Sequence, residues 1–387
     1  MELDGYYLTD VTNYETAAGI SWVTLQNVAV DGFSLQPSTN SNWVGEVSLD
    51  IEVAIAMAPG LSKVIVYETA NNGNNFIDVL HRMATDNAAK QLSSSWFIFN
   101  NPSADQYYLQ FAAQGQSFFQ CSGDDGAFYS GIPQYADNAN VTLAGGTSLT
   151  TLSPGGPYLS ETVWNNNDGT NGSGGGISLN FNIPSWQKGI SMASNNGSTT
   201  KRNIPDVSLV AQNVHVVWNN GSAGTFWGTS IAAPMWAAYT ALVNQRMVAD
   251  GRPTLGFANP ALYALGTGSG YATLFHDVTT GNNTNNVVKT QYSAVPGYDL
   301  CTGLGTPTVA LIAALEYYSG AKWVDFSVAG PGAGTFADPY NTLALGIANV
   351  AANGAVVLKG PNSTPVTTNI SKPLILNAYG GPVTIGH

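Results

Sequence analysis

Short apolar runs alternate with longer apolar or amphipathic stretches along most of the chain. Val64–Tyr67 and Ser117–Cys121 have the length and character of buried strands, and Gln91–Phe99 predicts another strand. Phe76–Met83 predicts the start of a helix, and Ser230–Val248 predicts an apolar, alanine-rich helix. This alternation predicts an α/β fold, with a parallel sheet flanked by helices on both faces.

The pattern changes towards the C-terminus. Trp323–Ala337 is rich in glycine and proline, and Thr342–Ala352 predicts a helix. Three short strand-like pieces follow: Ala355–Lys359, Leu374–Asn377 and Val383–Ile385. Short strands separated by turns are typical of the rungs of a parallel β-helix. We therefore expect a main domain over residues 1–320 and a short, truncated β-helix-like segment over residues 321–387.

Composition narrows the classes of partner. The chain has 387 residues and a formal net charge of −12, which argues against nucleic acid as a partner because phosphates require basic groups. A negative net charge is compatible with a protein that functions at low pH, where many carboxylates are protonated. A simpler explanation is that the charge only keeps the protein soluble. The sequence contains no run of about 20 apolar residues, so it predicts no membrane span, and no signal-peptide pattern follows Met1.

Cysteine usage is low. The chain has two cysteines, Cys121 and Cys301. They exclude a disulfide framework and a cysteine-based zinc site, and they leave open one bridge or two buried thiols.

The segment Gly228–Pro234, with the sequence GTSIAAP, carries the sharpest chemical signal. Backbone N–H groups and the helix dipole at a helix N-terminus can stabilise an oxyanion beside a serine nucleophile. An isolated serine there is more simply a helix N-cap. The longer string resembles the nucleophile segment of subtilisins and sedolisins, and it makes Ser230 the candidate nucleophile.

A serine nucleophile needs a base, and the histidines do not supply one. None of them lies in the HGT-like motif of subtilisins, so each is interpreted as a structural or a surface residue. They are His81, His215, His276 and His387.

Carboxylates are the alternative base. Glu46 and Asp50 are four residues apart in an apolar stretch that predicts a buried helix, so they share one face. Most such pairs form a solvated acidic face, but buried carboxylates must be paired, protonated or used. Glu52 competes for the role but projects from a different face. Asp124, in the CSGDDG string after a strand, is either a third acid or an ordinary turn residue.

Together these motifs resemble the sedolisin family, especially its kumamolisin-like members, over roughly residues 2–315. The matching strings are GEVSLDIEVAIAMAPG, the SSSW ending at Trp96, CSGDDG, SGGGIS, IPSWQ, RNIPDVS and GTSIAAP. The resemblance implies a subtilisin-like sheet, a triad of Ser230, Glu46 and Asp50, and Asp124 in the oxyanion site. It also implies that Trp96 and Glu2 form a layer behind the triad, with Trp96 as a substrate contact.

The resemblance implies a calcium ion as well. Its ligands would be the carboxylates and carbonyls of Asp277, Val278, Val295, Gly297 and Asp299. It further implies polypeptide substrates, a secreted monomer, a propeptide in the precursor, and an N-terminal strand that is missing before Met1.

The predicted function is that of an acid-acting serine-carboxyl endopeptidase. One alternative is a catalytically inactive adhesin or binding module on the same fold, against which the complete set of candidate residues argues. The other is a carbohydrate-active β-helix protein, for which the C-terminal segment is too short.

Overall fold

The computed structural model describes residues 1–98, 101–128, 137–250, 252–318, 321–336, 338–350, 355–379 and 381–386. The α-helices in this part of the chain are α1 (Leu8–Ala18), α2 (Ser41–Met57), α3 (Asn75–Asp86), α4 (Pro102–Ala113), α5 (Ala232–Ala249), α6 (Asn259–Gly266), α7 (Tyr271–Leu274), α8 (Val309–Tyr318) and α9 (Leu343–Asn349). The strands up to residue 182 are β1 (Leu25–Ala29), β2 (Val64–Glu68), β3 (Gln91–Ser94), β4 (Ser117–Cys121), β5 (Asp125–Ala127), β6 (Thr142–Thr151), β7 (Tyr158–Val163) and β8 (Gly172–Asn182). The later strands are β9 (Lys201–Ile204), β10 (Val207–Val210), β11 (Val214–Trp218), β12 (Ser222–Phe226), β13 (Phe275–His276), β14 (Thr306–Pro307), β15 (Lys322–Val324), β16 (Ala355–Lys359), β17 (Asn362–Thr364), β18 (Ile375–Tyr379) and β19 (Val383–Ile385).

A parallel sheet in the order β10-β6-β4-β3 forms the centre of the main domain, and β7 joins β6 antiparallel. A second parallel pair, β1-β2, forms a separate two-stranded sheet. Strand β4 is buried along its whole length. Its Phe118 stacks on Phe111 of α4, and its Phe119 stacks on Trp236 of α5. Because successive strand residues point to opposite faces, helices cover both faces of the sheet, which confirms the predicted α/β fold.

Helix α2 carries the acidic residues Glu46, Asp50 and Glu52. Asn40 caps it by accepting hydrogen bonds from the N–H groups of Asn42 and Trp43. Ten of its residues are buried, as expected for a helix that is apolar on most faces. Glu52 accepts a hydrogen bond from the Val217 N–H of β11 at 3.0 Å, whereas Asp50 contacts Ser95, so Glu52 projects from a different face, as predicted.

Two predicted elements were too long. The strand predicted over Gln91–Phe99 ends at Ser94, because the Ser94 hydroxyl accepts the Trp96 N–H and turns the chain; Phe99 lies outside the described residues. The helix predicted from Ser230 begins at Ala232, because the Thr229 carbonyl accepts the Ala232 N–H in a preceding turn. Both corrections place the chemically interesting residues on turns rather than within regular elements.

The C-terminal segment is built from parallel strands. β15, β16 and β18 pair in that order, and β17 pairs with β19. Helix α9 ends at Asn349, before the predicted end, and residues 351–352 lie outside the described part. The predicted strand Leu374–Asn377 is displaced to Ile375–Tyr379. The β-helix interpretation and the boundary at residue 320 stay predictions.

This segment has its own small apolar cluster, formed by Val324, Leu343, Ile347, Val350, Val356 and Leu358. Trp323, Val357 and Tyr379 pack instead into the main core. The Tyr379 hydroxyl donates a hydrogen bond to the Trp186 carbonyl, so the segment also contacts the domain directly. A search for a membrane-crossing helix among the described residues finds none of the required length and apolarity.

Candidate active site

Ser230 lies on the turn that leads into α5. Gly228 has a φ of 138°, and a Cβ atom there would come 2.9 Å from Oδ2 of Asp124, so only glycine fits this position. Ser230 is 7% exposed. The turn therefore holds Ser230 at the start of a buried helix while its side chain keeps a small accessible surface.

Ser95 connects this turn to α2. Its hydroxyl lies 2.7 Å from Oδ1 of Asp50 and 3.0 Å from the carbonyl oxygen of Ser230. The single Ser95 proton can serve one of these contacts, so both are hydrogen bonds only when Asp50 carries a proton. Ser95 was not among the predicted site residues, although it stands in the SSSW string beside Trp96.

Glu46 and Asp50 lie on one face of α2, as their spacing predicts. Burial raises the pKa of Glu46 to about 8, with the Ser230 side chain acting in the opposite direction through a hydrogen bond. Burial also raises the pKa of Asp50, and the charges of Glu2 and Glu46 add to the effect. Glu46 Oε1 and Asp50 Oδ2 are buried with no hydrogen-bond partner among the described residues.

Glu2 and Trp96 form a further layer. The Trp96 indole N–H donates to Oε2 of Glu2 at 2.8 Å. Burial raises the pKa of Glu2, which also interacts with Asp50. Trp96 is 6% exposed and directs its only polar group at Glu2, so its contact with substrate stays a prediction.

Asp124 contacts the two residues that precede Ser230. Its Oδ1 accepts hydrogen bonds from the N–H and the hydroxyl of Thr229, both at 2.8 Å. Burial raises the pKa of Asp124 to about 6, against the lowering effect of these bonds. Oδ2 faces Gly228 and makes no hydrogen bond to the described residues. Thr229 was another residue that the prediction did not single out, although it lies inside GTSIAAP.

Gly172 and the SGGGIS string that follows it position the Asp124 turn. The N–H groups of Gly172 and Gly174 donate to the carbonyls of Asp124 and Gly123, both at 2.7 Å. A Cβ atom on Gly174 would lie 2.3 Å from the Ser122 carbonyl oxygen. Strand β8 can therefore run directly against this turn only because position 174 is glycine.

Histidines do not enter this arrangement among the described residues. His81 is exposed on α3 and packs against Tyr107. The ring of His276 stacks on that of Tyr158, with the ring centroids 3.9 Å apart. His215 lies on β11, and His387 falls outside the described residues. The interpretation of the first three as structural or superficial agrees with these positions.

The two cysteines are both buried and free, so the open question of a bridge is answered in favour of thiols. Cys121 Sγ lies 3.3 Å from the Ser95 carbonyl oxygen, and Cys301 Sγ lies 3.2 Å from that of Tyr292.

The predicted calcium ligands lie on two segments, 277–278 and 295–299, which contact each other. Asp299 Oδ2 accepts the Val295 N–H and Asp277 Oδ2 accepts the Gly297 N–H, both at 3.0 Å. The carbonyls of Val278, Val295 and Gly297 accept no hydrogen bond from the described residues. Burial raises the pKa of Asp299 to about 7. Two carboxylates and three free carbonyls fit a hard cation, although no cluster of three His, Cys, Asp or Glu side chains occurs within the described ranges.

The structure of a known protein identifies the class of fold. No family model matches the chain. The structure resembles that of Pseudomonas sedolisin, described as a serine-carboxyl proteinase and solved with two molecules of pseudo-iodotyrostatin. The TM-score is 0.68 at 26% identity, covering 81% of this chain and 89% of that one. The fold is thus the subtilisin-like α/β fold of sedolisin.

Sequence comparison then gives particular relatives. The chain is 34% identical to kumamolisin of Bacillus sp. (strain MN-32), over 78% of this chain and 56% of that protein. It is 29% identical to xanthomonalisin of Xanthomonas sp. (strain T-22), over 92% of this chain and 46% of that protein. The chain is homologous to these proteins, and it spans about half the length of the curated relatives it matches.

Proposed function

We propose that this protein is a serine-type peptidase that hydrolyses peptide bonds in acid with a Ser230–Glu46–Asp50 triad and an oxyanion site at Asp124. The observation that supports this most directly is the set of contacts between acidic residues and the Ser230 turn. The Ser230 side chain forms a hydrogen bond with Glu46, and the Ser95 hydroxyl contacts both Asp50 and the Ser230 carbonyl. Asp124 is bonded to the neighbouring Thr229. The homologues named above are independent support.

Proton transfer follows from this arrangement. Glu46, Asp50 and Glu2 titrate as a coupled set, because each buried negative charge raises the cost of the next. Loss of one proton from the set gives an ionised Glu46 while Asp50 stays protonated and bonded to Ser95. Ser230 Oγ attacks the peptide carbonyl carbon and gives its proton to Glu46, which then delivers it to the leaving amine. Water repeats the cycle on the acyl-enzyme.

Asp124 acts on the developing oxyanion. With Oδ1 held by Thr229, a proton on Oδ2 is free to form a hydrogen bond to the negative oxygen of the tetrahedral intermediate. An ionised Asp124 would repel that oxygen instead. Since burial raises the pKa of Asp124 to about 6, this contribution is present below that pH and is lost above it.

The wider context belongs to the same proposal. The substrates would be polypeptides, the precursor would carry a propeptide, and the mature protein would be secreted and monomeric. A calcium ion held by Asp277, Asp299 and the carbonyls of Val278, Val295 and Gly297 would fix the loop that contains them. It would be structural and would take no part in bond cleavage. The segment from residue 321 onward would be a separate β-helix-like unit.

The function is tested by hydrolysis of a denatured protein over the range of about pH 2 to 8. Ser230→Ala should abolish cleavage while circular dichroism shows an intact fold. Asp124→Asn keeps a neutral donor at every pH, so it should retain part of the activity and lose the decline that the unsubstituted protein shows above about pH 6. Full activity of purified Ser230→Ala, or an optimum at alkaline pH, would refute the proposal.

A further inference from the structure

Trp227 is an exposed aromatic residue that precedes the Gly228 turn and lies close in sequence to Ser230. It is 48% exposed, whereas Trp96, the predicted substrate contact, is 6% exposed. An indole ring left in water keeps a large apolar surface hydrated, which is unfavourable. A ligand that covers the ring when it binds would remove this cost.

The backbone fixes the position of Trp227. Phe226, immediately before it, pairs with Val214 in the antiparallel β11-β12 hairpin. Gly228, immediately after it, donates its N–H to the Ala211 carbonyl at 2.9 Å. Trp227 is thus held between two backbone contacts. A group that is already positioned in the free protein loses less entropy when a ligand binds to it.

Trp164 supports the ring of Trp227. The two ring centroids are 5.7 Å apart, with an interplanar angle of 36°. Trp164 is fully buried, and its indole N–H donates to Asn166 Oδ1 at 3.0 Å. Asn166 Oδ1 also accepts a hydrogen bond from the Gln212 side chain at 3.3 Å. The exposed ring therefore rests on a buried aromatic base whose orientation is set by hydrogen bonds.

This aromatic pair, Trp227 and Trp164, borders the proposed oxyanion site. A Cβ atom on Gly146 of β6 would lie 3.0 Å from the Trp164 ring and 3.4 Å from the Thr229 methyl group, so the two side chains are neighbours above one point of the strand. The Thr229 hydroxyl donates to Asp124 Oδ1 at 2.8 Å. The aromatic pair is therefore adjacent to the groups that would hold the scissile carbonyl.

The chemistry of the pair favours an aromatic ligand. Aromatic rings gain offset or edge-to-face contacts in addition to the area that they bury. The polar groups that border Trp164 are the amides of Asn166 and Gln212, which are uncharged. A lysine or arginine could form a cation–π contact but would find no carboxylate among these bordering groups.

We propose that Trp227, supported by Trp164, is a substrate subsite that binds an aromatic side chain within two or three residues of the scissile bond. The inference rests on the proposed peptidase function, which supplies an extended polypeptide at Ser230, advancing about 3.3 Å per residue. A contact made equally in the bound substrate and in the transition state lowers KM and leaves kcat unchanged. Loss of Trp227 should therefore act mainly on KM.

The test begins with the cleavage sites in denatured casein at about pH 4, identified by mass spectrometry. Aromatic residues should be enriched at one position near the scissile bond. Two synthetic peptides that differ only by phenylalanine or alanine at that position then give kcat and KM. The phenylalanine peptide should have a kcat/KM roughly tenfold or more above that of the alanine peptide.

Variants assign this preference to one residue. Trp227→Ala should remove most of it by raising KM for the phenylalanine peptide about tenfold, with kcat changed by less than about threefold. Trp227→Phe keeps a ring and should retain part of the preference. Trp22→Ala is the matched control, since its indole is 73% exposed and precedes β1, and it should change the ratio by less than about twofold.

Binding without cleavage separates this inference from the proposed function. Calorimetric titration of Ser230→Ala protein compares an alanine peptide that has one central phenylalanine with its all-alanine counterpart. The first should have a roughly tenfold lower Kd, and adding Trp227→Ala should abolish the difference. Equal Kd values, or an aromatic preference that survives Trp227→Ala, would overturn the subsite and leave the peptidase function intact. Absent cleavage of casein would instead refute the proposed function, and the titration would still decide whether Trp227 binds aromatic side chains.

Discussion

Asp206 and Asp50, one of the carboxyls around Ser230, are both buried, yet the surroundings of the two sites differ. Asp206 Oδ2 lies 2.6 Å from Nη2 of Arg202, and both groups are fully buried. Its remaining contacts include the Tyr263 hydroxyl and the Leu143 N–H, each at 2.8 Å. Around Ser230 no lysine or arginine of the described residues contacts the carboxyls, and oxygens of Glu46 and Asp50 have no partner there.

The difference shows two ways in which a protein can tolerate a buried acid. Burial raises the pKa of Asp206, but Arg202 and the surrounding donors oppose the shift, so the group functions as part of an ion pair. Around Ser230 hydrogen bonds oppose burial but no lysine or arginine of the described residues does, and the acids hold their protons instead. A proton that can be exchanged is useful in catalysis, whereas a neutralised ion pair serves only structure.

The largest expected effect separates two acids on the same helix. Glu46→Gln cannot accept the Ser230 proton and should lower kcat/KM by about 10²–10⁴-fold. Glu52→Gln is the matched control. Burial raises the pKa of Glu52 to about 9, but its bond is to Val217, so activity should change by less than about threefold. Steady-state assays on both purified variants measure the contrast. Equal losses would show that buried acids on α2 act through stability alone.

A second variant tests the ion pair from the opposite direction. Arg202→Met leaves Asp206 buried without its cation and should lower the free energy of unfolding by about 3–5 kcal/mol. Activity per folded molecule should be unchanged. Urea unfolding measures the loss. Adding Asp206→Leu removes the unpaired charge and should restore much of the stability; a double variant as unstable as the single one would contradict this explanation.

Calcium provides an intermediate case, in which a cation rather than an arginine would balance two carboxylates. If the loop binds calcium, a hundredfold excess over Kd stabilises the fold by roughly 2.7 kcal/mol. Chelation should therefore lower the melting temperature of the unsubstituted protein. In Asp299→Asn, which loses a proposed ligand, the chelator should have no effect. A melting temperature that does not respond to chelator in either protein would show that Asp277 and Asp299 only shape turns.

The sequence predicted the parts of the site that depend on local geometry. The spacing of Glu46 and Asp50 places them on one helix face whatever the tertiary structure, and the helix formed as expected. Ser95 could not be predicted, because its role depends on contacts with Asp50 and Ser230 that are distant in sequence. The end of β3 at Ser94 likewise depends on the Ser94 hydroxyl, which accepts a hydrogen bond from the Trp96 N–H, and hydrophobic periodicity does not predict such a contact.

The strands β2 and β3, which belong to separate sheets, show the same limit for the fold. Strands were predicted over Val64–Tyr67 and Gln91–Phe99, and they formed over Val64–Glu68 and Gln91–Ser94. Which edges pair is decided by the packing of helices above and below them, and this is not encoded in the alternation of either strand. The Arg202–Asp206 pair was present in a quoted motif, but its four-residue spacing alone could not show that both side chains are buried.

The smallest expected effect concerns Glu68, a buried acid that lies next to Glu2 but is not assigned to the reaction. It is fully buried, and neither of its carboxyl oxygens has a partner among the described residues. Burial, followed by the charge of Glu2, raises its pKa to about 8. The folded protein therefore binds this proton more tightly than the unfolded chain does. The contribution to stability is full below about pH 4.5, declines as the pH rises and is lost above about pH 8.

Glu68→Gln should remove this decline and raise the free energy of unfolding at pH 9 by about 2 kcal/mol relative to the unsubstituted protein. The gain is smaller than the full pKa shift implies, because the carboxamide introduces donors that are themselves unpaired. Glu316→Gln is the control, since Glu316 is buried but pairs with Arg246 at 3.2 Å. That substitution should give no alkaline gain. Urea unfolding at pH 5 and pH 9 compares the three proteins. If Glu68→Gln gains nothing between the two pH values, Glu68 has a partner that balances its charge and belongs with Asp206 rather than with the acids around Ser230.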